Sequence, residues 1–171
     1  MSHPHELYHG SSNRIEGALT PILQHTTDDH VHTRSSLFAT ERKDLATLFM
    51  ISPKALCSIG FEHDIAYMCL WGTSETSASQ DQAGFLYTLP TITFEKIGKG
   101  YEWQSFESVV PSHVTEYPSA LDGMMACGVQ LYFIDDDATF DRTVEEKDNR
   151  APLLRNRLSE NQKMGKNVRL F

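Results

Sequence analysis

Short apolar runs separated by turn-forming residues set the pattern of this chain. "ELYH" (6–9) reads as a strand that ends at a glycine and two serines. "QHTTDDHVHTRSS" (24–36) reads as a polar loop and "LFAT" (37–40) as a second strand. That strand runs into "TERKDLATLFMI", where Leu45, Leu48 and Phe49 recur at helical spacing. Thr40 is the expected N-cap of this helix, and Glu41 favours the positive end of its dipole. "IAYMCLW" (65–71) predicts a buried strand, and "GTSETSASQDQAG" (72–84) a small-polar loop with room for one helical turn. "FLYTLP" (85–90) predicts a strand stopped by Pro90, and "SFESVV" with "SHVTEY" a strand pair broken at Pro111. "PSALDGMMACG" predicts a short helix capped by Ser119 and stopped by Gly128, followed by a last strand, "VQLYFID" (129–135).

Many short strands with few helices between them favour an α+β fold over a doubly wound parallel sheet. Beyond Asp135 the composition turns charged, with few apolar residues. The expected organisation is a domain over residues 1–135 and a charged helical extension over 136–171, whose stretch "RAPLLRNRL" is either a partner-docking helix or a solvated amphipathic one. No internal repeat is visible.

Composition narrows the classes. A chain of 171 residues suits one domain and buries a real core. Hydrophobic residues make up 40% and charged ones 22%, ordinary values for a globular protein. The net charge of −8 argues against a general electrostatic grip on nucleic acid or anionic membrane. Cys57, Cys69 and Cys127 are odd in number and form no CxxC pair, which predicts free thiols in a reducing compartment. No apolar run approaches the roughly 20 residues of a membrane span. "MSHPHE" lacks the basic and apolar regions of a signal peptide, so the expected setting is cytoplasmic, or outside the cell without a standard signal.

The candidate chemistry begins at "YHG". Glycine lets the backbone approach a flat ligand, and a neighbouring histidine can hold a hydroxyl; by itself the pair is as well explained as a turn. The order "LYHGS", then Leu19-Thr20-Pro21, then "FAT" and a helix carrying Ala46 and Phe49, resembles the ADP-ribosyltransferase superfamily. It is most similar to small bacterial members such as rifampin ADP-ribosyltransferase, and more distantly to the poly-ADP-ribose polymerases and the RNA 2′-phosphotransferases. The likeness spans about residues 6 to 117.

The resemblance implies two packed, mostly antiparallel sheets and NAD as substrate. It implies that His9 holds the adenosine-side ribose, that Gly10 bonds the nicotinamide carboxamide through its backbone, and that Ser11 supports the ribose. Phe38 would flank the nicotinamide where many relatives have tyrosine; it can stack but donates no hydrogen bond. Tyr8 should point away from His9. The family's acid, which steadies the oxocarbenium-like centre through the ribose 2′-hydroxyl, matches "Glu107-Ser108-Val109-Val110-Pro111", with Ser108 as a departure. Glu102, in "EWQS", is its rival, and the two lie on opposite faces of an extended segment unless a turn intervenes. Arg14 and Arg34, followed by Arg42, are the basic residues placed for a pyrophosphate. The arginine set of the 2′-phosphotransferases is not found.

Other signals carry less. His25, His30 and His32 with Asp28 and Asp29 could draw a metal, but without HExxH or CxxC partners the better reading is a solvated loop that orders on ligand binding. "GKG" (98–100) lacks a phosphate-loop frame, and the serines lack a nucleophile elbow. "IDDD" (134–137) reads as a solvated strand end, and Met124-Met125 as core.

The expectation is transfer of ADP-ribose from NAD to an acceptor, either a macromolecule or a small molecule, by a bacterial or phage toxin or a modifying enzyme. NAD hydrolysis, an RNA 2′-phosphotransferase-like reaction, and a catalytically silent binding module with an inhibitory or regulatory protein partner are the rivals.

Overall fold

Alternation along the apolar runs sorts the strands into two sheets. The computed structural model describes residues 4–22, 35–52, 55–62 and 64–145. Its strands are β1 (Leu7–Ser11), β2 (Leu37–Thr40), β3 (Cys57–Glu62), β4 (Ile65–Trp71), β5 (Gly84–Leu89), β6 (Glu95–Lys96), β7 (Glu102–Ser105), β8 (His113–Tyr117) and β9 (Gln130–Ile134). Its helices are α1 (Lys43–Thr47), continued by a 3₁₀ turn at Leu48–Met50, α2 (Ser74–Gln80), α3 (Ala120–Ala126) and α4 (Asp137–Glu145). A six-stranded sheet runs β6-β7-β2-β1-β5-β8 with every neighbouring pair antiparallel. A three-stranded sheet runs β3-β4-β9, antiparallel and then parallel. The architecture is α+β, with two mostly antiparallel sheets.

The main core joins the sheets. Leu86 of the larger sheet, Met68, Leu70 and Leu131 of the smaller one, and Ala46, Met50 and Met124 from the helices between them form one buried cluster. The other face of the larger sheet carries a second cluster: Leu7, Leu37, Ala39, Phe85, Tyr87 and Trp103, roofed by Leu19, Phe94 and Val109 from the connections. α4 buries Phe140 against Tyr67 and Cys69 on the outer face of the smaller sheet. The expected C-terminal extension thus begins with a helix that shares core with the sheet, while residues 146–171 lie outside the described residues. Among the described residues no helix is long and apolar enough to cross a membrane.

Several elements differ from the sequence reading for identifiable reasons. Thr40 is committed to the sheet, opposite both Tyr8 and Glu102, so the N-cap position passes to Arg42. The Thr40 hydroxyl still accepts the Arg42 N–H at 3.2 Å. The small-polar stretch after Trp71 is a seven-residue helix, because Thr73 caps it by accepting the Thr76 N–H at 3.1 Å. "SFESVV" does not continue as a strand: the chain bends at Phe106–Glu107, and Val109 pairs with Leu19, each N–H reaching the other's carbonyl at 2.9 Å. β8 pairs with β5 instead. α3 starts as expected, with the Ser119 hydroxyl accepting the Asp122 N–H at 2.9 Å, and Gly128 follows it with φ +94°.

Candidate functional site

The larger sheet opens where β1 passes β2. β1 pairs with β5 over all five of its residues, but with β2 only at Tyr8 opposite Thr40. Just past that pair the His9 ring bridges the two strands: its Nδ1–H donates to the Phe38 carbonyl oxygen at 2.8 Å. Because a carbonyl only accepts, this bond fixes the proton on Nδ1 and leaves Nε2 as an acceptor in the neutral ring. Burial pushes the His9 pKa below 6.5, with the Phe38 bond pulling the other way. His9 also lies beside the Tyr87 ring, with centroids 6.3 Å apart.

Gly10 has a packing reason to be glycine. A Cβ there would strike the carbonyl oxygen of Ala46, so α1 lies directly on the β1 backbone. Gly10 stands opposite Leu86 of β5, two residues past the single β1–β2 pair. The sequence pairs His9 with Gly10 because a side chain bridges the strands at one position while a helix closes over the next.

Strand parity divides the remaining candidates between two faces. His9, Ser11, Leu37, Ala39, Tyr87 and Ser105 share the face of the second cluster. Tyr8, Gly10, Phe38, Thr40 and Glu102 share the face toward α1. Tyr8 therefore does point away from His9. Phe38 meets His9 through its backbone, and its side chain stands on the opposite face; Leu37 and Ala39 are the β2 residues that share the His9 face.

The two carboxylates separate in the same way. Glu102 is exposed on the Phe38 face at the start of β7, opposite Thr40. Glu107 follows the bend that ends β7, and its backbone N–H donates to the Ser105 hydroxyl at 3.2 Å. Ser105 is fully buried on the His9 face, where its hydroxyl donates to Thr93 Oγ1 at 3.0 Å. With Val109 clamped to Leu19, the segment carrying exposed Glu107 crosses the His9 face. The anchoring role of Ser105 went unread in the sequence; a serine two residues before a bend glutamate is the signal that could have found it.

Ser11 and Arg14 lie in the turn leaving β1. The Ser11 hydroxyl accepts the Asn13 N–H at 3.1 Å. The Tyr87 hydroxyl accepts the Ile15 N–H at 2.7 Å, which ties this turn to the His9 face. Arg14 is already matched by two carboxylates, Glu16 at 2.8 Å and Glu116 at 2.9 Å. Arg42 is engaged too: it contacts Asp44 and Asp64 and lies over the rings of Phe61 (4.6 Å) and Tyr101 (5.1 Å). Arg34 and the loop histidines, His25, His30 and His32, lie outside the described residues.

The His9 face offers a neutral imidazole acceptor, and exposed Glu107 follows the bend anchored on that face by Ser105. That set can hold hydroxyls and steady positive charge. Comparison with protein-family models, with curated proteins and with solved structures finds no match.

Proposed function

We propose that this protein is an ADP-ribosyltransferase of the kind its "YHG … FAT" pattern resembles, with NAD as substrate and His9, Gly10 and Glu107 at the centre of the site. The observation that carries the reading is His9: a ring locked by Phe38 so that Nε2 presents a lone pair, beside an opening in the sheet. An Nε2 acceptor suits a ribose hydroxyl, and the resemblance gives the Gly10 backbone the nicotinamide carboxamide. Phe38 offers no side-chain stacking on the His9 face, so in this reading it meets the site through the carbonyl that holds His9.

Glu107 is the better-placed acid, because its anchor Ser105 belongs to the His9 face while Glu102 shares the other. In the reaction the bond between ribose C1′ and the nicotinamide nitrogen breaks, and nicotinamide leaves with the electron pair. The Glu107 carboxylate steadies the cationic ribose through the 2′-hydroxyl. An acceptor oxygen or nitrogen then bonds to C1′ and gives up its proton. The setting expected from the sequence is cytoplasmic, and the acceptor is a macromolecule or a small molecule.

The test is nicotinamide release from NAD by the purified protein, alone and with cell lysate, beside His9→Ala, Glu102→Gln and Glu107→Gln. Lysate-stimulated release that Glu107→Gln abolishes supports the transferase. Release without an acceptor points to a glycohydrolase. A second reading, a binding module without turnover, is favoured by Arg14, whose charge is held by Glu16 and Glu116 rather than open to a pyrophosphate. NAD that neither binds nor turns over selects it.

A further inference from the structure

Three cross-strand pairs line the His9 face where β1 lies beside β5: Leu7 with Leu89, His9 with Tyr87, and Ser11 with Phe85. The β5 members of this row all belong to the second buried cluster. Tyr87 is 0% exposed and has the largest volume of the fully buried side chains among the described residues. Its neighbours along the row, Phe85 and Leu89, are purely apolar. A phenyl ring would fill the same space, and a hydroxyl in an apolar cluster costs free energy unless it is hydrogen-bonded. The Tyr87 hydroxyl therefore calls for a role beyond packing.

That hydroxyl uses both of its capacities on one turn. It accepts the Ile15 N–H at 2.7 Å and donates to the Asn13 carbonyl oxygen at 3.3 Å. Asn13 is exposed and Ile15 half-buried, so water can serve these backbone groups if the turn moves away. Arg14, between them, reaches Glu116 of β8, but that pair is exposed and open to screening by salt. The chain leaving Ser11 is thus folded back over β5 and held there by a buried tyrosine. The same ring stands beside the imidazole of His9, its cross-strand partner, with the two planes tilted by 51°. The Phe38 carbonyl holds Nδ1 from the β2 side of β1, and Tyr87 closes the β5 side.

We propose that Tyr87 is the positioning residue of this site: its ring keeps the His9 imidazole turned toward Phe38, and its hydroxyl fixes the turn after Ser11 on the same face. What is positioned for NAD rests on the reading above; the positioning itself is a property of the free protein. A ribose hydroxyl meeting Nε2 finds the turn already in place, so no binding energy goes to ordering it. Without the Tyr87 hydroxyl the turn leaves the face for part of the time, and apparent affinity falls by that fraction.

Two variants separate the ring from the hydroxyl, and two of the readouts need no NAD. Tyr87→Phe keeps the ring. Ile15 amide exchange should become at least about tenfold faster while the β5 amides are unchanged. The ring-nitrogen chemical shifts of His9 should keep the signature of a single Nδ1–H tautomer. Tyr87→Leu removes the ring as well, and those shifts should move toward a mixture of tautomers. Where the wild type releases nicotinamide, Tyr87→Phe should raise the KM for NAD about three- to tenfold and leave kcat within about twofold. A tyrosine that only fills the core would lower the unfolding midpoint and move none of these. Unchanged Ile15 exchange in Tyr87→Phe overturns the proposal, even if Tyr87→Leu does not fold. So does a single tautomer in folded Tyr87→Leu, or an unchanged KM in Tyr87→Phe. Wild-type protein that does not turn NAD over sinks the NAD reading alone, and the exchange and tautomer results still decide the role of Tyr87.

Discussion

His9 and Phe38 are joined across two strands by a side chain rather than by the ladder: the imidazole Nδ1–H lies 2.8 Å from the Phe38 carbonyl oxygen, one residue past the single β1–β2 pair. The bond sets the tautomer, and burial disfavours the protonated ring. The resulting pH dependence has a definite sign. In the unfolded chain histidine titrates near pH 6.5, and in the folded chain below that. The unfolded state therefore binds the extra proton more readily as the pH drops. The His9 contribution to stability is present above pH ~6.5 and is lost as the pH falls through the folded value. Urea midpoints measured across this range should show an acid limb that is reduced in His9→Gln. If NAD binds as proposed, its KM should rise over the same acid range, because a protonated Nε2 cannot accept a hydroxyl hydrogen.

Glu107 and Glu102 separate by face, and their conservative variants should separate by effect. Glu107→Gln keeps the backbone anchor to Ser105 and removes the charge. It is expected to lower kcat by about 10²–10³-fold, the scale of losing one well-placed electrostatic stabiliser. Glu102→Gln, on the Phe38 face, should change kcat by less than about threefold. Single-turnover nicotinamide release distinguishes them, and the opposite ranking would move the acid to the face of α1.

Gly10→Ala asks what the glycine is for. The added methyl group meets the Ala46 carbonyl oxygen, which is helix backbone and cannot swing aside. The expected cost is about 2–4 kcal/mol, from overpacking that displaces α1. A fall of that size in urea unfolding, at unchanged m-value, checks it. Loss of NAD binding without loss of stability would instead locate the value of Gly10 in its backbone edge.

Much of this fold was legible because its strands are short, apolar and punctuated: β1, β2, β4, β5 and β9 stand where the apolar runs stand, and Ser119 caps α3 as its position suggests. What escaped reading depends on partners far along the chain. β3 carries Gly60 in mid-strand, and only the structure shows that the Tyr67 ring lies where its Cβ would be. The residues Val109 and Val110 look like strand, but bridging to Leu19 uses one of them and leaves the other 67% exposed. The candidate site was legible as a set of residue types. Strand parity already set Tyr8 apart from His9 and Glu102 apart from Glu107, but which residues of different strands share a face follows from the Tyr8–Thr40 register, which no local pattern encodes.

Arg42 is the residue whose sequence reading changes most, from a candidate phosphate cation to a latch between the sheets. It contacts Asp44 in its own helix turn at 2.6 Å and Asp64 at 3.3 Å in the β3–β4 turn, where Asp64 holds φ +66°. Its guanidinium also lies over Phe61 and Tyr101, and the Tyr101 hydroxyl donates to Asp64 at 3.3 Å. Hydrogen bonding to Asp44 holds the guanidinium above its ordinary pKa, so it stays charged at any working pH. Lysine would keep the charge but lose the planar fork and the ring stacking. Arg42→Lys is therefore expected to cost about 1–2 kcal/mol and Arg42→Ala about 2–3 kcal/mol, less than a fully buried pair because Asp64 is exposed. Hydrogen exchange should show the loss first at the β3–β4 turn, with protection of β1 and β5 retained. Equal stability of Arg42→Lys and wild type would mean that charge alone, and not the fork over the two rings, holds the turn to the larger sheet.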